Sequence, residues 1–134
     1  MIDIESFVFN RVVTKVREQY PDIYMTGEYV KSPSSFPAVS LMEVDNSTRT
    51  DTIDSGSNEN HANVVYEVNV YSNKANGKRA ECKAIATLID GEMLAMGFAK
   101  RKLDRIPNMN DSTIYRMQGL YVATVSTKHE IIRR

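Results

Sequence analysis

Cysteine is nearly absent: Cys82 is the only one in 134 residues, which excludes an internal disulfide and any thiolate metal cluster. That usage predicts folding in a reducing cytoplasm. No apolar run approaches the ~18 residues of a membrane span. The N-terminus, Met1-Ile2-Asp3-Ile4-Glu5, lacks the basic region that opens a secretory signal, so the expectation is a protein that begins inside the cell and does not enter a membrane. Net charge is also absent, at zero. Free binding to a polyanion therefore has no general electrostatic drive.

What is present describes one ordinary domain. Its length matches a single unit, and a chain of this size buries roughly two-thirds of its unfolded surface without help from a metal. An apolar content of 42% and a charged content of 25% are those of a globular protein. The charge is divided along the chain. Residues 1–67 carry 11 acidic and 5 basic side chains, and residues 68–134 carry 6 and 12, for nets of −6 and +6. Folding either mixes these halves or leaves two oppositely charged surfaces, and the latter would suit head-to-tail contact between copies.

Residues 4–19 read as an amphipathic helix, with Phe7, Val8, Val12 and Val16 at helical spacing after Ile4. Asp3 or Ser6 can cap it, and Pro21 stops it. Residues 23–30 form a short strand interrupted by Gly27, and residues 36–44 a second strand, with Pro37 at an edge or starting position. Between 45 and 63 the chain is polar and has one large apolar residue, Ile53. Both flanks read as strands, so this stretch is the extended tip of a β-hairpin.

Residues 64–71, VVYEVNVY, are the clearest strand. Val64, Tyr66, Val68 and Val70 share one face, and Val65, Glu67, Asn69 and Tyr71 share the other. Neither face is fully polar, which predicts a neighbour over the second. Ser72-Asn73 caps a long helix ending near Met96, whose stripe is Ala84, Ile85, Leu88, Ile89, Met93 and Met96. Gly97 takes the left-handed position after it. Strands at 98–107 and 113–129 follow. The order α-β-β-β-α-β-β predicts an α+β domain: a mostly antiparallel sheet of about five strands, every strand-to-strand neighbour close enough to pair antiparallel, with two helices on one face.

No pattern of catalytic chemistry emerges. His61 and His129 each lack a second histidine at helical spacing or a nearby cysteine, so a zinc site would need ligands gathered from distant loops. Cys82 lies among Arg79, Glu81 and Lys83 but has no histidine near it in sequence. Asp51, Asp54 and Glu59 with Gly56 miss the calcium-loop spacing. Asn76-Gly77-Lys78 has no phosphate-loop glycine ahead of it. The expectation is a non-enzyme without metal or cofactor. Lys100, Arg101 and Lys102, with Arg105 and Arg116, could meet phosphates, yet strand alternation sends Lys100 and Lys102 to one face and Arg101 to the other.

Several features in order resemble a known family. They are the N-terminal helix, F-P-A-V opening a strand, the long polar hairpin loop, and VVYEVNVYSN running toward a helix. K-R-A-E-C-K-A-I-A, then G-F-x-x-R, then D-S-T-I-Y-R-x-x-G-L-Y-V complete the set. Together they look like the small head–tail joining proteins of tailed bacteriophages, most like the tail terminator group. The resemblance covers nearly the whole chain. It implies a mixed sheet with flanking helices and six copies closed into a ring. Such a ring caps the tail tube, meets the head connector or neck protein, and passes DNA transiently through its pore. The location it implies is the tail–head junction of a virion assembled in the host cytoplasm. A head-completion or neck adaptor protein is the nearest alternative, and a DNA-contacting accessory factor the alternative of a different class. Within this frame Val65, Glu67, Asn69 and Tyr71 are expected at the subunit interface. Arg49, Asp51, Ile53, Asp54 and Glu59 are expected against the tail, and Lys100, Arg101 and Lys102 toward the pore.

Overall fold

The computed structural model describes residues 1–30, 33–48, 61–107 and 111–132. Its first element, α1 (Glu5–Arg17), buries Val8, Val12 and Val16, the one-turn repeat read from sequence. Phe7 is not part of that stripe: it is 50% exposed, one position round the helix from Val8. Ile4 holds the N-cap position without a side-chain bond. Asp3 supplies the acceptor instead, its Oδ1 3.0 Å from the Glu5 N–H.

Strand β1 (Tyr24–Thr26) pairs with β2 (Ala38–Thr48) in parallel, where the two neighbours are expected to pair antiparallel within the mostly antiparallel sheet. Residues 27–37 are long enough to carry the chain back to the starting end, near the dozen or so that a parallel connection needs. β2 then runs antiparallel to β3 (His61–Ser72), from Ala38↔Tyr71 to Thr48↔Ala62. The ladder therefore includes residues 45–48 and 61–63, which sequence composition assigned to the loop. The tail-contact candidates Arg49, Asp51, Ile53, Asp54 and Glu59 lie outside the described residues.

Helix α2 (Lys78–Met96) starts five residues beyond the Ser72-Asn73 expectation, with Gly77 at its N-cap in the left-handed region. Ser72 still reaches the first turn, its hydroxyl donating to Glu81 at 2.7 Å. Ile85, Ile89, Met93 and Met96 are buried as expected, whereas Ala84 faces solvent. Gly97, at φ 109°, ends the helix, and the Gly97 and Phe98 N–H groups return to Leu94 and Met93 carbonyls. This reversal sends β4 (Ala99–Arg105) back along the sheet.

The strand order is β1-β2-β3-β5-β4. β5 (Tyr115–Ser126) inserts between β3 and β4 and pairs with β3 along its whole length, from Ser72↔Tyr115 to His61↔Ser126. The final strand ends sooner than expected. A turn with His129 at φ 61° leads into β6 (Ile131–Ile132), which pairs with Thr124 and Val125 of β5. The α+β class, with two helices on a mostly antiparallel sheet, is as the sequence predicts.

Both helices cover one sheet face. Ala62, Val64, Tyr66, Val68 and Val70 of β3 join Val8, Val12, Val16, Ile85, Ile89 and Met93 in one core. β5 adds Met117, Tyr121, Ala123 and Val125. A second, small cluster on the opposite face joins Ala38, Tyr71 and Ile114, with Tyr24 and Phe36 packed against it.

Candidate assembly surfaces

The sheet face turned away from the helices is a set of cross-strand rows. Ser40, Asn69 and Gln118 form one row, and Met42, Glu67, Leu120 and Lys102 the next. Asp45, Val65, Val122 and Ala99 follow. Among the described residues no helix packs over these rows, and Met42, Val65, Leu120 and Val122 stay partly exposed. At one end the face is closed by the chain itself. Tyr71 is buried, and its hydroxyl donates to the Val30 carbonyl at 3.2 Å.

The four interface candidates consequently divide. Val65 and Glu67 are partly exposed, while Asn69 and Tyr71 are buried within the subunit. Asn69 Oδ1 accepts from Arg116 Nη2 at 2.7 Å and Nε at 3.2 Å, and its amide donates to Glu67 Oε2 at 2.9 Å. The Arg116 guanidinium also lies over the Tyr71 ring, 5.4 Å from its centroid. A buried amide needs such partners, because an unpaired one costs about 1–3 kcal/mol. Sequence alternation places Asn69 on this face but does not reveal the Arg116 partner 47 residues away.

The basic strand differs from its expected geometry. A register shift between Lys100 and Lys102 makes Arg101 a bulge residue, so the two lysines face opposite ways. Lys100 lies opposite Tyr121 on the helix side and pairs with Asp90 at 3.4 Å. Lys102 lies opposite Leu120 on the open face, 3.6 Å from Asp104. Arg105 sits over the Tyr115 ring at 5.1 Å. Arg101 is exposed and has no ion-pair partner among the described residues. The bulge overturns the simple alternation because one extra residue reverses every later side chain.

At the other side of the sheet, Asp3, Glu5 and Glu43 bring one carboxylate oxygen each within 4.8 Å of one another. Tyr66 donates its hydroxyl to Glu43 Oε2 at 2.7 Å, and Asn46 Nδ2 reaches Glu43 Oε1 at 2.8 Å. Asn46 also holds the Ile2 carbonyl at 2.7 Å, which ties the start of α1 to β2. The sequence offered little signal for this corner, since Glu43 stands far from the other two acids along the chain.

Desolvation, then Glu43 and Asp3, push the Glu5 carboxyl above the ordinary carboxylate value. A carboxyl with a raised folded pKa opposes folding once ionised. That penalty is full above the folded pKa and is lost as pH falls through it. Glu5→Gln should therefore raise the neutral-pH melting temperature slightly, by less than about 1 kcal/mol in stability at so exposed a position. The gain should fade as melts are repeated at falling pH; a gain that persisted at low pH would remove the charge explanation.

Cys82 is fully buried on α2, its Sγ 3.3 Å from the Val70 carbonyl. Burial pushes its thiol up to about 12, so it stays protonated at neutral pH and has little nucleophilic character. Among the described residues no helix is long and apolar enough to cross a membrane. No family model matches the chain, and no curated protein is significantly similar to it.

Proposed function

We propose that this protein is a structural component of a tailed phage or phage-like particle, a tail terminator whose copies close into a ring of six. The ring caps the tail tube, offers a docking surface to the head connector or neck protein, and passes DNA only transiently. The sequence resemblance gives the reading its name. The observation that carries it is the half-apolar sheet face, where Met42, Val65, Leu120 and Val122 remain partly exposed. Apolar surface of this kind is ordinarily covered in an assembly. In the ring it is covered by a neighbouring copy, with Val65 and Glu67 in the contact.

The DNA-binding reading is weaker on geometry, because the β4 bulge sends Lys100 and Lys102 to opposite faces and each already has a carboxylate partner. A phosphate-binding patch needs its cations on one surface. Sedimentation from micromolar concentration upward, with electron microscopy of the protein added to purified tail tubes, tests the assignment. Rings in solution or on tube ends are expected. A strict monomer that also leaves tube ends bare would overturn it.

A further inference from the structure

The strand order places two groups of charged side chains at opposite edges of the sheet, although α1 beyond its acidic start carries Arg11, Lys15 and Arg17. Strands β1 and β2 and helix α1, from the acidic half, lie toward one edge of the sheet. Strand β4, from the basic half, forms the other. The acidic edge gathers Asp3, Glu5, Glu43 and Asp45. The basic edge carries Lys100, Arg101, Lys102 and Arg105, with Lys100 paired to Asp90 of α2 and Lys102 to Asp104.

Strands β2 and β4 are separated by three strand intervals, roughly 14 Å. That exceeds the ~8 Å screening length at physiological ionic strength, so one edge does little to neutralise the other within a subunit. Both edges are also open. β1 covers β2 only at Ala38–Ser40, and no strand lies beyond β4 among the described residues. Each open edge carries a bulge, between Glu43 and Asp45 and between Lys100 and Lys102. Bulges and edge charges block the continuous strand addition that gives fibres, leaving side-chain contact as the mode of approach. Val44, 50% exposed between the acids Glu43 and Asp45, offers apolar area within the acidic edge.

We propose that copies of this chain join head to tail, the basic β4 edge of one seating against the acidic β2–α1 edge of the next. The proposal rests on the self-assembly reading above and adds a contact between edges to the one made by the open sheet face. The contact is heterologous, and with a suitable rotation between subunits it closes into a ring. Arg101, exposed on the bulge and without an ion-pair partner among the described residues, is the central cation. Asp3, Glu5 and Glu43 crowd like charges that a neighbour's cations relieve, consistent with the raised Glu5 carboxyl.

Charge reversal tests this directly. Arg101→Glu with Lys102→Glu makes both edges acidic, and Asp3→Lys with Glu5→Lys and Asp45→Lys makes both edges basic. Each variant alone should associate at least about tenfold more weakly than the parent, by sedimentation and on tube ends. An equimolar mixture should recover assembly, because alternating copies again present opposite edges. The five changes in one chain should recover it too. Wild-type association that weakens with added salt is also expected.

Unaltered assembly of the single-edge variants would overturn the proposal while leaving the ring reading intact. Loss of DNA binding with assembly unchanged would assign the β4 edge to nucleic acid and overturn it equally. Failure of the parent chain to assemble at all would sink the ring reading itself. If a reversed variant does not fold by circular dichroism, the neutral pairs Arg101→Gln/Lys102→Gln and Glu5→Gln/Asp45→Asn replace it. Their association should lose salt dependence, and retained dependence would count against the edges.

Discussion

A Tyr66→Ala variant should lose about 3–5 kcal/mol of stability, the range for removing a large buried ring. Against a total of about 5–15 kcal/mol for a domain, that loss leaves little. Tyr66 is 2% exposed in the centre of β3 and meets the Phe98 ring edge-on, with centroids 5.4 Å apart at 82°. Phe98 is placed there by the Gly97 reversal, so the pair joins the end of α2 to the middle of the sheet. The hydroxyl has a separate role, donating to Glu43 at the acidic corner. Burial, then that bond to Glu43, raise the phenol far above its usual value, so it remains a donor across the working range. Tyr66→Phe keeps the ring and should cost only about 0.5–1.5 kcal/mol. Urea unfolding of the pair separates the two contributions. Equal losses from Phe and Ala would show that the hydroxyl, and not the packing, holds this site.

Gly119→Ala should destabilise the protein by about 1–3 kcal/mol through overpacking, although alanine in a strand interior ordinarily gains roughly 0.5–1 kcal/mol over glycine. The sign of the effect is therefore informative. A Cβ at Gly119 would lie 2.9 Å from Tyr121 Cε2 and 3.2 Å from Leu103 Cδ1. The Tyr121 ring cannot withdraw easily, since it is 1% exposed and its hydroxyl is anchored to Asp90 Oδ1 at 2.8 Å. Leu103 is the softer neighbour. In a Leu103→Ala background the Gly119→Ala penalty should shrink, which a double-mutant cycle measures. A neutral or stabilising Gly119→Ala would mean that the ring has room to move.

The parts of this fold legible in the sequence are those written in short periods. The Val8, Val12, Val16 repeat gave α1, alternation gave β3, and Gly97 marked the end of α2. Alternation even identified the half-apolar second face. It could not say that Asn69 and Tyr71 are taken up inside the subunit, because their partners, Arg116 and the Val30 carbonyl, are long-range. Phe7 shows the limit of spacing arguments: a neighbour of Val8 satisfies a loose helical pattern and still points outward. The bulge at Arg101 and the parallel pairing of β1 depend on register and on the path of a connection, neither of which composition encodes. The acidic corner was hidden for the same reason, being assembled from a helix start and a distant strand.

The insertion of β5 between β3 and β4 bears on how the chain folds as it leaves the ribosome. β3 and β4 run in the same direction with an empty place between them until Tyr115–Ser126 arrives to pair with both. Until that segment emerges, α2 has only part of the sheet to rest on, and Tyr121, Ala123 and Val125 are missing from the core. Local contacts such as the β2–β3 ladder can form early, but closing the domain waits for pairings that span much of the sequence. The emerging chain therefore leaves one side of β3 unpaired from the completion of that strand at Ser72 until Tyr115–Ser126 follows. The pairing of β5 fills the sheet, closes that side of β3 and places β4 at the rim.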